Sequence, residues 1–186
     1  MRSSQTAMDH SDLNNTQIQS NLNLNSKDLP FFHPQNGILS RLSLDEKSKL
    51  IGEIVTIMLA SPLHCKYVIN DIGSVFFPPL HLNQFRIYRI DKKPVGIITW
   101  AKMSKDVEQA YINKTRFLKP DDWNSGDRNW VTDFIAPFGH ANEIIKDLKF
   151  NVFPNEKAKS MRVDSNFKVR GIRTLHGANF LNRKEK

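Results

Sequence analysis

Residues Trp130 to Ala136, Trp-Val-Thr-Asp-Phe-Ile-Ala, read as a β-strand that Pro137 stops. Alternation places Trp130, Thr132 and Phe134 on one face and Val131, Asp133 and Ile135 on the other, so both faces are largely apolar. Such a strand is expected at the centre of a sheet. Asp133 is the residue most at odds with that position, because a carboxylate between Val131 and Ile135 loses several kcal/mol of hydration unless it is partnered. The partner could be a nearby arginine, such as Arg128 or Arg162, or backbone amides. It could also be a histidine, whose tautomer the carboxylate would fix and whose protonated form it would stabilise.

The remaining pattern surrounds this strand with helices and further strands. Ser43 followed by Glu46 has the spacing of a capping box, so a helix starts there. Ile51, Ile54, Val55, Met58 and Leu59 then recur at helical spacing, which predicts one buried face. Pro62 ends the helix at about Ala60 and leaves His64 just beyond it. Gln84 to Ile90 and Pro94 to Lys102 are β-rich runs joined by Asp91-Lys92-Lys93, the pattern of an antiparallel hairpin. Ser104 to about Thr115 is compatible with a helix, Asp122 to Arg128 is dense in turn formers, and Asn142 to Lys149 fits a short helix. Met161 to Val163 and Lys168 to Thr174 complete the strands. The fold class expected is α+β, a mixed, mainly antiparallel sheet flanked by helices.

Composition narrows the function classes. Of 186 residues, 39% are hydrophobic and 25% charged, which fits one globular domain with a tail. Apolar stretches such as Ile57 to Ala60 fall far short of the ~18 residues that span a bilayer, so no transmembrane segment is expected. The N-terminus has no continuous apolar core of the signal-peptide kind, and cytoplasmic residence is the expectation. Cys65 is the sole cysteine, which excludes an internal disulfide and paired-cysteine zinc sites and reads as an ordinary semi-buried residue. Residues 1 to 30 hold fifteen Asn, Ser, Gln or Thr and no aromatic, too little to offset ordering entropy. The organisation expected is a polar, disordered leader over residues 1–40, a domain over 41–180 and a basic tail over 181–186. The net charge of +8 comes almost wholly from the last thirty residues, where nine Lys or Arg face only Asp164 and Glu185. That surface suits an acidic partner, with a merely solvated basic end as the plain alternative.

Six histidines, His10, His33, His64, His81, His140 and His176, show no metal-binding spacing, so no metal is expected. No nucleophile elbow, P-loop or dinucleotide-binding glycine pattern is present.

The segments Ser61-Pro62-Leu63-His64, Trp100-Ala101, Asp122-Trp123-Asn124-Ser125-Gly126-Asp127-Arg128, Asp133-Phe134-Ile135-Ala136-Pro137-Phe138-Gly139 and Arg162-Val163-Asp164 occur in this order. Together they resemble the RTX toxin-activating lysine acyltransferases, from about Ile51 to Gly177. The resemblance implies an enzyme that moves a fatty acyl chain from acyl carrier protein to internal lysines of an RTX protoxin, with no bound cofactor. It implies His64 and Asp133 as the catalytic pair, His64 as base or acyl acceptor and Asp133 orienting it. It also implies a fold similar to the Gcn5-related N-acetyltransferases. The coenzyme A signature of that superfamily is missing around Gly171 and Gly177, which favours acyl carrier protein as donor. Ser61, Arg128, Arg162, Lys168 and Arg170 are the candidates for binding donor or substrate, and a homodimer is left open. A basic nucleic-acid-binding module and a non-catalytic toxin escort are the alternatives, although no RNA- or DNA-binding signature is present. The chemistry agrees with an acyltransferase. A lysine amine of pKa ~10.4 is neutral in only about 4 parts in 10,000 at pH 7, so something must take its proton, and an imidazole can.

Overall fold

A computed structural model describes residues 41–114 and 117–180; the leader expected over 1–40 and the tail expected over 181–186 lie outside the described residues. The helix α1 (Leu44–Leu59) starts with the expected capping box: Ser43 Oγ accepts from the Glu46 amide while Glu46 accepts from the Ser43 amide. Ala60 closes it, as Pro62 requires. The buried face is displaced from the predicted stripe. Leu50, Ile54, Ile57 and Met58 are buried, whereas Leu59 is 71% exposed. Apolar residues cover more than one face of α1, and packing selects the edge that meets Phe76, Leu80, Ile97 and Ile135. Glu53 shares that edge because Arg89 reaches it from the sheet.

After α1 the chain makes a 3-10 turn (His64–Lys66), a helical turn (Ile69–Asp71), a π turn (Ile72–Phe76) and α2 (Phe77–His81). The hairpin follows as β1 (Phe85–Ile90) and β2 (Lys93–Met103). Its tight turn places Asp91 and Lys92 at φ 48° and 65°, the left-handed pair that matches strand twist. Ser104 caps α3 (Lys105–Ile112). β3 (Arg128–Ile135) lies in the middle of five strands ordered β1-β2-β3-β4-β5, with β4 at Lys157–Val163 and β5 at Val169–His176. All neighbours are antiparallel except β3 and β4. A parallel pair needs a crossover, and α4 (Ala141–Asp147) with the π turn Leu148–Val152 supplies it.

The simple alternation read for β3 fails at Thr132. Asp133 pairs with Thr99 but Val131 pairs with Trp100, so Thr132 is the extra residue of a bulge. Trp130, Asp133 and Ile135 therefore share the face of Ala101, Thr99 and Ile97, the face that α1 and α3 cover. Val131 and Phe134 turn to the other face, against Ile144, Leu148 and Phe153.

The Asp122–Arg128 segment is a structural joint. Its Ser125 and Gly126 amides donate to the Lys102 carbonyl, and Ser125 Oγ accepts from the Ser104 amide at 2.9 Å. A Cβ on Gly126 would lie 2.6 Å from the Met103 carbonyl oxygen, so only glycine fits this close approach.

Candidate active site

His64 comes from the turn after α1 and Asp133 from the central strand β3, and they meet on the α1 face. Ser61 follows the closed end of α1, and its carbonyl accepts from the Cys65 amide, so the 3-10 turn holds the imidazole at a fixed distance from the helix. The bulge turns the Asp133 carboxylate toward the same point. His64 Nε2 lies 3.7 Å from Asp133 Oδ1, with the two residues 7% and 5% exposed. Among the described residues Asp133 has no arginine partner; Thr99 Oγ1 donates to its Oδ2 at 3.0 Å and in turn accepts from Thr132 Oγ1 at 2.8 Å.

Hydrogen-bond accounting assigns the imidazole tautomer. A neutral imidazole carries one N–H, and the Asp133 carboxylate facing Nε2 favours that nitrogen for it, which leaves Nδ1 to accept from the Ser61 hydroxyl, 2.8 Å away, while the His64 amide donates to Ser61 Oγ at 3.5 Å. The ring proton is then on Nε2 and faces the carboxylate. Burial pushes His64 down to about 4 and Asp133 up to about 6, the latter opposed by the Thr99 hydrogen bond. At neutral pH the pair is a neutral imidazole beside an ionised carboxylate.

Two tyrosines surround the pair and escaped sequence reasoning. The Tyr67 ring packs on His64 at 5.2 Å, and Tyr111 packs on Trp130 at 5.3 Å. Burial first, and the Asp133 charge second, push both phenols above their ordinary range, so they stay protonated. Thr99 and Thr132 were missed as well. Thr99 was legible in principle, as a hydroxyl inside the apolar run Ile97-Ile98-Thr99-Trp100-Ala101.

Of the other candidates, only Ser61 is at the pair. Arg128 is committed to Glu108, Nε to Oε2 3.1 Å, and to Asp127. Arg170 pairs with Asp164 at 2.8 Å, whereas Arg162 and Lys168 are exposed and make no ion pair among the described residues. Cys65 is exposed rather than semi-buried, since the 3-10 turn leaves it on the outside. A cavity of about 370 Å³ lies away from the pair, lined by Trp100, Lys102, Phe153 and Glu156 on the α4 side of the sheet. Among the described residues no cluster of metal-ligating side chains occurs, and no helix is long and apolar enough to cross a membrane.

The family model described as the RTX toxin acyltransferase family matches residues 44–175, a span that contains His64, Asp133 and the joint around Gly126. The chain belongs to this family. Among curated relatives of the RTX toxin acyltransferases, the RTX-I toxin-activating lysine-acyltransferase ApxIC of Actinobacillus pleuropneumoniae is 34% identical over 129 residues, 69% of this chain and 74% of its own length. The protein-lysine myristoyltransferase HlyC of Escherichia coli is 30% identical over 136 residues, 73% and 79% of the two chains. A protein of Synechocystis sp. with no activity in its name is 43% identical over 122 residues, 64% of this chain and 83% of its own. The resemblance read from the motifs is thus a family relationship.

Proposed function

We propose that this protein is a protein-lysine fatty acyltransferase that takes its acyl chain from acyl carrier protein and joins it to internal lysine ε-amines of an RTX protoxin, in the cytoplasm. The observation that carries the reading is the buried pair of His64 and Asp133 beside Ser61, two groups that chain folding brings together from distant segments. In the tautomer assigned above, the imidazole lone pair is at Nδ1 on the Ser61 side. A proton leaving the attacking amine reaches Nδ1 directly or through the Ser61 hydroxyl, which gives up its own proton to the ring and takes the amine's. The imidazolium so formed has its Nε2–H toward Asp133, which stabilises the charge without taking the proton. In the alternative route Nδ1 attacks the thioester carbonyl, the carbon–sulfur bond breaks, and the acyl-imidazole passes the chain to the amine. Both routes require a neutral imidazole in the resting enzyme, which is what burial favours.

The sheet supports a likeness to the Gcn5-related N-acetyltransferases and a place for the donor. β3 and β4 pair only from Asn129↔Ala158 to Val131↔Ser160, although each strand continues. They part beyond Val131, and Asp133 stands on the parted stretch. The thiol arm of a carrier protein would enter between the strands from there. Arg162 and Lys168, exposed and unpaired among the described residues, would meet the acidic carrier. The deciding experiment is single-turnover incubation with acylated carrier protein and a protoxin fragment, read by mass spectrometry. Transfer to lysine by the wild type and none by His64→Ala is expected; transfer by His64→Ala above a tenth of the wild-type rate overturns the assignment.

A further inference from the structure

A reaction at His64 has to bring a thioester and a protein amine to a pair of groups that are 7% and 5% exposed. What stands beside that pair is the turn between β4 and β5. Asp164 shapes the turn: its Oδ1 accepts from the amides of Asn166 at 2.9 Å and Lys168 at 3.0 Å, which hold the carboxyl below its usual range. Phe167 takes a left-handed φ of 59° there. Two lysines then hold the turn from two elements of the site. Lys66, in the 3-10 turn of His64, donates to the Ser165 carbonyl at 2.8 Å, and Lys114, just after α3, donates to the Phe167 carbonyl at 3.0 Å. The Phe167 ring stacks on Tyr67 at 5.9 Å, and Tyr67 packs on the imidazole at 5.2 Å.

We infer that this turn selects the acyl chain, with Tyr67 and Phe167 forming the apolar wall along which the chain lies when its carbonyl carbon is at His64. The inference rests on the acyl-transfer reading above. Tyr67 is the ring in contact with the imidazole and Phe167 is the next ring outward, so a chain whose first carbon is at His64 can lie along both. Phe167 is 37% exposed, so it forms the outer end of the wall. Met161, packed with the Trp130 cluster on the site's face of the sheet, and its register partner Ile172, 45% exposed, continue the apolar surface along the hairpin. The two lysine bonds run to carbonyls at the surface, where water can replace them, so the turn can lift to admit a chain without leaving a buried polar group unpartnered. Each methylene taken from water onto such a wall changes discrimination about fourfold, so the wall should be read out as a chain-length preference.

The test compares the full-length wild type with Phe167→Ala, Phe167→Leu and Phe167→Trp on carrier proteins loaded with chains of about eight to about eighteen carbons, measuring kcat/KM for each. The expected result is a change of at least about tenfold in the ratio of long to short chains for Phe167→Ala, equivalent to two or so methylenes. Phe167→Leu should change the ratio less, and Phe167→Trp should move it in the opposite direction from Phe167→Ala. If the substitutions scale every donor by one common factor or leave the profile unchanged, while the wild type transfers acyl chains, Phe167 does not select and this inference fails alone. A wild type that transfers no chain from any donor overturns the acyl-transfer reading itself.

Discussion

On the β1 side of β3, the sheet is backed by α1 and α2 through Ile54, Ile57, Phe76, Leu80 and Ile97, all fully buried. On the β4 side, β5 carries Arg170, Ile172, Arg173 and Thr174 exposed, and the parallel pairing to β3 covers only Asn129 to Val131. The catalytic candidates belong to the first region and the access proposed for them to the second. His64 is fixed by the end of α1 and Asp133 by a bulge on the central strand, whereas the turn above them is held by two lysine–carbonyl bonds and a ring stack. Geometry that has to be accurate is built into the core, and geometry that has to open is built from surface contacts.

The sharpest break of that comparison is at the pair. His64→Ala and Asp133→Asn should each lower single-turnover acyl transfer on the order of a thousandfold, with melting temperature little changed. A large loss of stability with activity retained in the folded fraction would make Asp133 a purely structural carboxylate. The pH response separates the two residues. Asp133 has its folded value raised to about 6, so the stability it contributes is present below its ordinary value near 3.8 and is lost as pH rises through about 6. His64 has its folded value lowered from 6.5 to about 4, so its contribution is present above 6.5 and is lost as pH falls through about 4. The two slopes oppose each other between about pH 4 and 6. Denaturant midpoints of the wild type should be nearly flat in that window. Asp133→Asn should expose the histidine slope, losing stability on acidification, and His64→Ala the reverse. Activity should fall below about pH 6, where Asp133 takes up a proton.

Next in size are effects on folding alone. Gly126→Ala forces a Cβ to within 2.6 Å of the Met103 carbonyl and of Ser104 Cα, atoms of the backbone that cannot swing away. A loss of about 2–3 kcal/mol in denaturant titration is expected. Ile54→Ala, in the dry region, should cost about 3 kcal/mol, and Ile172→Ala, on the exposed hairpin, less than about 1 kcal/mol. Equal costs at the two positions would erase the contrast between the regions.

The same contrast governs how much could be read from the chain. The capped helix, the hairpin with its turn, and the central strand are set by local chemistry, and each was legible within a residue or two. The burial of α1 was not, because Leu50 and Ile57 are as apolar as Ile51 and Leu59, and only the sheet decides which edge is covered. The bulge at Thr132 leaves no mark in composition, yet it turns Asp133 to the side of His64. The motif around Gly126 was conspicuous and proved to be a joint between β2, α3 and β3, while Arg128 in that motif is spent on Glu108. Tyr67 and Tyr111 look like ordinary aromatics until the fold sets them beside the carboxylate.

The smallest effect expected concerns the donor. Of the cations first considered for this role, Arg128 and Arg170 are paired with Glu108 and Asp164, which leaves Arg162 and Lys168 on the hairpin as the charges to test against the acidic carrier protein proposed as donor. Attraction between exposed charges steers encounter and is screened by salt, so it acts on binding and not on the chemical step. Raising ionic strength from about 0.05 to about 0.5 M shortens the Debye length from about 14 to about 4 Å and should raise the Michaelis constant for acyl carrier protein several fold with little change in kcat. Arg162→Glu and Lys168→Glu should mimic the high-salt constant and flatten its salt response. Arg173, also exposed on β5, provides the positional control, since its reversal tests whether any cation on the hairpin serves. Equal efficiency with acyl-coenzyme A, or a Michaelis constant unmoved by salt, would mean that the hairpin's charge serves only solubility and that the exposed region reads the acyl chain without reading its carrier.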